Sequence, residues 1–310
     1  MIKLSTTISL LLICVATSGC DTKVKVPKKE PITSPPSLVS INIKQNANLA
    51  LFLDAAEKTF IQLVLSGKAL QHTIENFTQT PSPVHLNEAK KALVSAHHQY
   101  MLAQVFQKID ILHPEFDLLQ SQPTVIHPLH IRLDQYPIIS GYLDAVPSYP
   151  ASGLIFSEQA LSTEYLNNEH QFSDTAYVSI GFHALEFMLT GGLNQSPKDR
   201  SLEFSSLSDA SNKSTTPHRR SRYLQLLTTQ INDDIKKLST AWTKTDGFYP
   251  ETLNELLPSE SDRLIQQAYK IEEHALSQIK EHGKGSHSDA TNERKAQLAL
   301  ILNNQNGNQD

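Results

Sequence analysis

From about Asn46 to Phe77 the apolar residues Leu49, Phe52, Leu53, Ala56, Phe60, Leu63, Leu70 and Ile74 recur near helical spacing, and "TQTPSP" then stops the pattern. The stretch predicts one long helix. The same period returns instead of giving way to strand-like alternation. A second helix is predicted from about Leu86 to Ile109, striped by Ala89, Leu93, Ala96, Tyr100, Ala103 and Val105. Another runs from about His218 to Trp242, with Tyr223, Leu226, Leu227, Ile231, Ile235 and Leu238 on one face. Further helices are predicted over about Glu260 to His282 and Asp289 to Leu302. Strand signals are nearly absent, so the fold class is all-α: two helical bundles joined through an irregular middle.

That middle, residues 110–160, is broken by Pro114, Pro123, Pro128, Pro137, Pro147 and Pro150. A central apolar helix follows, with Asp174 as its cap and Gly191 as its stop. "SSLSDASNKSTTP" (205–217) reads as a mobile polar loop between helices. "HAL" occurs at 183–185 and again at 274–276, a hint of internal duplication.

The N-terminus points to the cell envelope. Lys3 precedes "ISLLLICVA" (8–16), an apolar run too short to span a bilayer as a mature helix. "TSGC" then leads into Cys20 and resembles a lipoprotein signal with its lipobox, with Thr17 where a Leu is usual. Residues 1–19 are therefore expected to be a signal peptide and Cys20 the lipidated residue. Buried acyl methylenes contribute roughly 0.8 kcal/mol each, enough for several chains to anchor stably. Asp21, which in enteric bacteria disfavours export to the outer membrane, leaves the choice between the two membranes of a Gram-negative envelope open. Residues 20–45 include "VKVPKKEPITSPPS" and read as an extended tether; the domain is expected over 46–303 and a disordered tail over 304–310.

Composition narrows the chemistry. Cys14 leaves with the signal and Cys20 carries lipid, so no thiol remains for a disulfide or a thiolate site. Any metal must sit on His, Asp, Glu or carbonyl ligands. The formal net charge is −5, without a basic patch, which argues against nucleic acid as a partner. No phosphate-cradling Gly loop precedes a helix, and no Ser nucleophile elbow is present.

"GFHALEF" (181–187) sets His183 and Glu186 three positions apart in an apolar run. At that spacing the two share a helix face and reach one another or a common ion. The bland reading is a His–Glu pair that satisfies itself in a core; the sharper one is a pair of metal ligands. A hydrolytic zinc wants three protein ligands plus an open position, and this motif supplies two. His97 and His98 are adjacent and diverge by about 100° on a helix; His97 is the inward candidate because Leu93 and Tyr100 share its side. His127 and His130 read as surface residues, and His274 beside Glu272 and Glu273 as a solvated face.

The motif resembles the Gly-x-His-x-x-Glu signature of the imelysin family (peptidase family M75), with Gly181 as its glycine, and "GFHALEFMLTGG" resembles its longer form. "LDQYP" (133–137) is similar to the family's Ile-Asp/Asn-x-Trp-Pro element with Tyr136 in place of Trp, "YPASGLI" follows in order, and "RSRYLQLLTTQINDDIKKLSTAW" (220–242) resembles its late Arg-rich helix. The resemblance implies a metal site at His183 and Glu186, with Asp134, Asp144 and His97 as further candidate ligands. Aligned on Tyr100, Leu93, His97 and Gln104 stand where the family often shows Trp, Arg and Glu. The resemblance further implies a lipid-anchored periplasmic protein that binds a divalent metal, iron or zinc, or an iron complex, in iron acquisition alongside other iron-uptake envelope proteins. The alternative is a metallopeptidase acting on envelope or extracellular proteins through Glu186 and His183. His-x-x-Glu lacks the second His and the intervening Glu of His-Glu-x-x-His, so binding ranks first.

Overall fold

The computed structural model describes residues 47–112, 128–191, 195–205 and 215–278. The signal peptide, Cys20, the tether, most of the 205–217 loop, His127, the helix expected over 289–302 and the tail lie outside these residues. Among the described residues all regular structure is helical, apart from one isolated bridge between Val146 and Tyr149. No described helix is long and apolar enough to cross a membrane.

The two N-terminal stripes form α1 (Ala47–Gln79) and α2 (Pro83–Leu112), each slightly longer than the periodicity predicts. Every stripe residue named for them is buried. Helix α8 (Thr216–Ala241) lies along α1, and α10 (Pro258–Gln278) packs on α2. Where these long helices meet, Phe52, Phe60, Phe106 and Trp242 pack together, and Trp242 stacks on Tyr249 with ring centroids 4.4 Å apart. Tyr249 belongs to α9 (Phe248–Glu255), a short helix that the apolar periodicity does not mark.

The irregular middle carries short helices: α3 (Leu129–Asp134), α4 (Ser140–Leu143) and a single 3-10 turn (Leu154–Phe156). Pro128 caps α3, and a cis Tyr136–Pro137 bond follows its end. Helix α5 (Thr163–Glu169) and helix α7 (Pro197–Leu202) are also new. Both begin on a serine whose oxygen accepts a backbone N–H of the first turn, Ser162 from Tyr165 and Ser196 from Asp199. Buried side chains of the long and the short helices belong to one continuous apolar cluster.

The central helix differs from expectation at its start. Helix α6 spans Phe182–Thr190, with Gly181 rather than Asp174 as its N-cap. Asp174 instead accepts the N–H of Ala176 in a turn eight residues upstream of α6. Val178 to Ile180 are buried but not helical, because other groups meet their backbone. Ser179 N–H donates to His170 Nδ1, and Tyr223 donates its hydroxyl to the Ser179 carbonyl at 2.6 Å. Gly191 ends the helix as expected, its N–H closing on Phe187.

Candidate metal centre

Gly181 places α6. Its φ of +90° lies in the region open to glycine, and a Cβ there would come 2.5 Å from the carbonyl oxygen of Arg132 and 2.7 Å from that of Leu133. Only a bare Cα lets the start of α6 lie against the end of α3, where Asp134 sits. α3 is held in turn by Arg132, which donates to Asp234 of α8 at 2.7 Å and to Asn167 of α5 at 2.8 Å.

Three elements then converge. His97 of α2 lies with Nε2 2.6 Å from Asp134 Oδ1, and His183 of α6 has Nε2 3.2 Å from the same oxygen. His97, Asp134 and His183 each offer one ligand atom, and these atoms lie within 4.8 Å of one another. The His97 ring stacks on the buried Phe182, centroids 5.0 Å apart, and meets the His183 ring edge-on at 5.1 Å. His97 therefore reaches inward, and both His97 and His98 line a neighbouring pocket.

The remaining contacts orient this group. Glu186 Oε2 lies 3.2 Å from His183 Nδ1, the ring nitrogen that does not face Asp134. Gln104, two turns after His97 on α2, donates to Asp134 Oδ2 at 3.1 Å. Glu186 thus addresses the far side of the His183 ring, an arrangement that fixes tautomer and ring direction for a ligand acting through Nε2. Its side chain is 51% exposed against 13% for His183.

Charge is balanced within the cluster. Burial would raise the Asp134 carboxyl, but hydrogen bonds from His183 and His97 and their charges outweigh it and hold the group well below the usual carboxylate range. Burial would lower His183; contacts with Asp134 and Glu186 push it up to about 9 instead. At neutral pH the ring is an imidazolium between two carboxylates, its protons standing where a cation would add a positive charge.

Two pockets border the cluster. The larger, about 660 Å³, is walled by Tyr136, Ile138, Val146, His183, Glu186 and Phe187. The smaller, about 210 Å³, is lined by Lys90, His97, His98, Met101 and Phe182, with Glu186 and Thr190 on both. Tyr136 is 70% exposed, with its ring 5.1 Å from that of His183.

Asp144 is not brought to this centre. It is 1% exposed and accepts two bonds from Arg220, at 2.7 and 2.9 Å, with Arg200 at 3.5 Å. Two guanidiniums occupy this carboxylate and would repel a cation. Arg200 also donates to the Met188 carbonyl at the end of α6 and pairs with Glu203, so the cluster fastens α6 to α7 and α8. His130 and His274 are exposed, as expected, but Glu272 beside His274 is buried and lies 3.5 Å from Lys108. Gln104 and Arg132 are the site-forming residues that spacing could not reveal.

These features define a helical protein with a two-histidine, one-carboxylate cluster at the wall of a pocket. The profile of peptidase M75, imelysin, matches residues 56–309, and the chain belongs to the imelysin family. No curated protein matches it.

Proposed function

We propose that this imelysin-family protein binds a divalent metal, iron or zinc, or an iron complex, and does so as a lipid-anchored protein of the cell envelope engaged in iron acquisition. The convergence of His97, Asp134 and His183 carries the binding half of the reading. The imidazole nitrogens and the carboxylate oxygen form a donor set that suits zinc and iron(II) alike. His97 and His183 supply Nε2 and Asp134 supplies Oδ1; Glu186 and Gln104 hold the outer atoms of His183 and Asp134. A bound ion would supply Lewis acidity or redox capacity there. The anchor rests on "TSGC" and the iron role on the family resemblance. Calorimetric titration with iron(II) and zinc tests the binding, with loss of affinity expected in His183→Ala and Asp134→Asn. Equal affinity in wild type and His183→Ala would remove His183 from the site.

A second reading, metallopeptidase activity, draws on one observation. Asp134 and His97 raise the cluster to three donors beside a pocket of about 660 Å³, and Glu186 stands exposed on its wall. That is the ligand count of a hydrolytic zinc with an open position. Turnover of unfolded protein substrates that disappears in folded Glu186→Gln would favour it over binding alone.

A further inference from the structure

We propose that the larger pocket is a saccharide site, taking an uncharged pyranose ring that carries an acetamido group. The proposal goes beyond the metal-binding reading and needs no ion, because it stands on the pocket's own wall. The volume of about 660 Å³ lies within the roughly 300–1,000 Å³ of clefts that hold small organic ligands.

Charge limits what can enter. His183 and Glu186 are the charged groups on this wall, and among the described residues no Lys or Arg joins them. They lie 3.2 Å apart, so their charges offset each other. The second ring nitrogen of His183 faces Asp134, which leaves the imidazolium no N–H for an anionic ligand. A cationic amine would meet a carboxylate already set against an imidazolium. The wall therefore suits a ligand without net charge.

The hydroxyls narrow the class further. Tyr136, Ser140 and Ser148 stand on the wall, and among the described residues their hydroxyls enter no hydrogen bond. Serines further along the same segment are bonded. Ser152 donates to the Tyr149 carbonyl, and Ser157 accepts from the Gln159 N–H and the Tyr165 hydroxyl. Each pocket hydroxyl can donate and accept, as the hydroxyls of a sugar do. Both serines sit on fixed backbone. Ile139, just before Ser140, donates its N–H to the Ala176 carbonyl at 3.0 Å, and Val146 and Tyr149 exchange two backbone bonds around Ser148. Binding need not order this part of the wall.

Apolar surface completes the match. The Tyr136 ring lies 5.1 Å from that of His183 yet the residue is 70% exposed, which presents an aromatic face to the C–H face of a pyranose. Ile138, Val146 and Phe187 can cover an acetamido methyl, and the Glu186 carboxylate can accept from the acetamido N–H. A purely apolar ligand would strand the hydroxyls and the carboxylate; an acetamido sugar pairs with both kinds of surface.

The test is a calorimetric titration of the full chain in detergent, freed of metal with a chelator, with chitotriose as the probe. One site per chain is expected, with a dissociation constant of about 1 mM or tighter. The double variant Ser140→Ala/Ser148→Ala should bind about tenfold more weakly, and Tyr136→Ala about tenfold more weakly as well. Tyr136→Phe keeps the ring and should stay within about threefold of wild type. None of the three positions is buried, so these variants should fold, which thermal melts would check. Retention on insoluble chitin would extend the ligand from free oligosaccharide to polymeric glycan; binding of the soluble trimer alone would assign the free form. Absence of binding overturns the proposal, as does wild-type affinity in both Tyr136→Ala and the double serine variant. Spermidine binding in place of chitotriose would give the pocket to a cationic ligand and overturn it too. The titration is metal-free, so the metal-binding reading stands or falls separately.

Discussion

Gly181 and Arg132 are in backbone contact: a Cβ on Gly181 would stand 2.5 Å from the Arg132 carbonyl oxygen. The contact joins the start of α6 to the end of α3, and so sets His183 beside Asp134. Gly181→Ala should therefore damage both stability and the site. Holding a non-glycine residue at φ +90° costs on the order of 1–3 kcal/mol before any clash is relieved. Relief means moving α6 away from α3, which separates His183 from Asp134. Urea melts should record the stability loss, and metal titration of the folded fraction a weaker affinity. A variant with wild-type affinity would show that the close approach does not position the site.

Asp144 and Arg220 make a different demand. Asp144 is 1% exposed, and its partner Arg220 is largely buried. Removing one member of such a pair strands the other, at about 3–5 kcal/mol. Asp144→Ala should thus lose that much in urea melts, while its folded fraction binds metal as wild type does. A large loss of metal affinity with little change in stability would instead return Asp144 to the ligand set.

The long helices were legible because their buried faces repeat at the helical period without interruption. α6 was legible in type but not in extent. Val178 and Ile180 are as apolar as the helix they precede, yet His170 and Tyr223 take the backbone groups of Ser179 that a helix would have used. His183 and Glu186 could be read from spacing, and His97 from the side it shares with Leu93 and Tyr100. Asp134 enters the candidates only through the family resemblance: it is 37 residues from His97, and periodicity carries no information on such pairings. Asp144 was misplaced among the candidates for the same reason, since its partner Arg220 lies 76 residues away.

Glu186 is the residue for which a self-satisfied ion pair and an orienting role diverge most. A structural pair would be buried, but the Glu186 side chain is 51% exposed. Glu186→Ala should cost the metal-free protein only about 1 kcal/mol or less, yet lower metal affinity by roughly 10–100-fold, as loss of an outer partner of a ligating His does. Apo-state melts and titrations of Glu186→Ala, His183→Ala and the double variant decide. A large loss in each single variant, restored in the double, would mark the pair as structural.

The proposed anchor depends on one atom, the Cys20 thiol. Cys20→Ala should leave the precursor uncleaved by lipoprotein signal peptidase and shift the protein out of the washed membrane pellet. Normal maturation together with retention in the pellet would remove the lipoprotein reading and leave the metal site untouched.

The charge state of His183 gives the metal-free and metal-bound protein opposite responses to pH. In the folded apo protein His183 is pushed up to about 9 from its ordinary 6.5, and Asp134 is held below its ordinary 3.8. A raised pKa contributes stability that is fully present below pH 6.5 and is lost as pH rises through about 9. The lowered pKa of Asp134 contributes stability present above pH 3.8 and lost as pH falls below it. From these two groups the apo protein should be most stable between those limits and weaken toward alkaline pH. Ligation requires His183 neutral, so each ion bound at pH 7 must displace its proton. Metal affinity should then rise about tenfold per pH unit and level off near the folded pKa. Glu186→Gln removes one of the contacts that raises His183, and should move that plateau to lower pH. Titrations from pH 6 to 10 in buffers of different ionisation enthalpy would measure both the slope and the released proton. An affinity flat with pH over that range, with no proton release, would mean that the ion does not bind through His183.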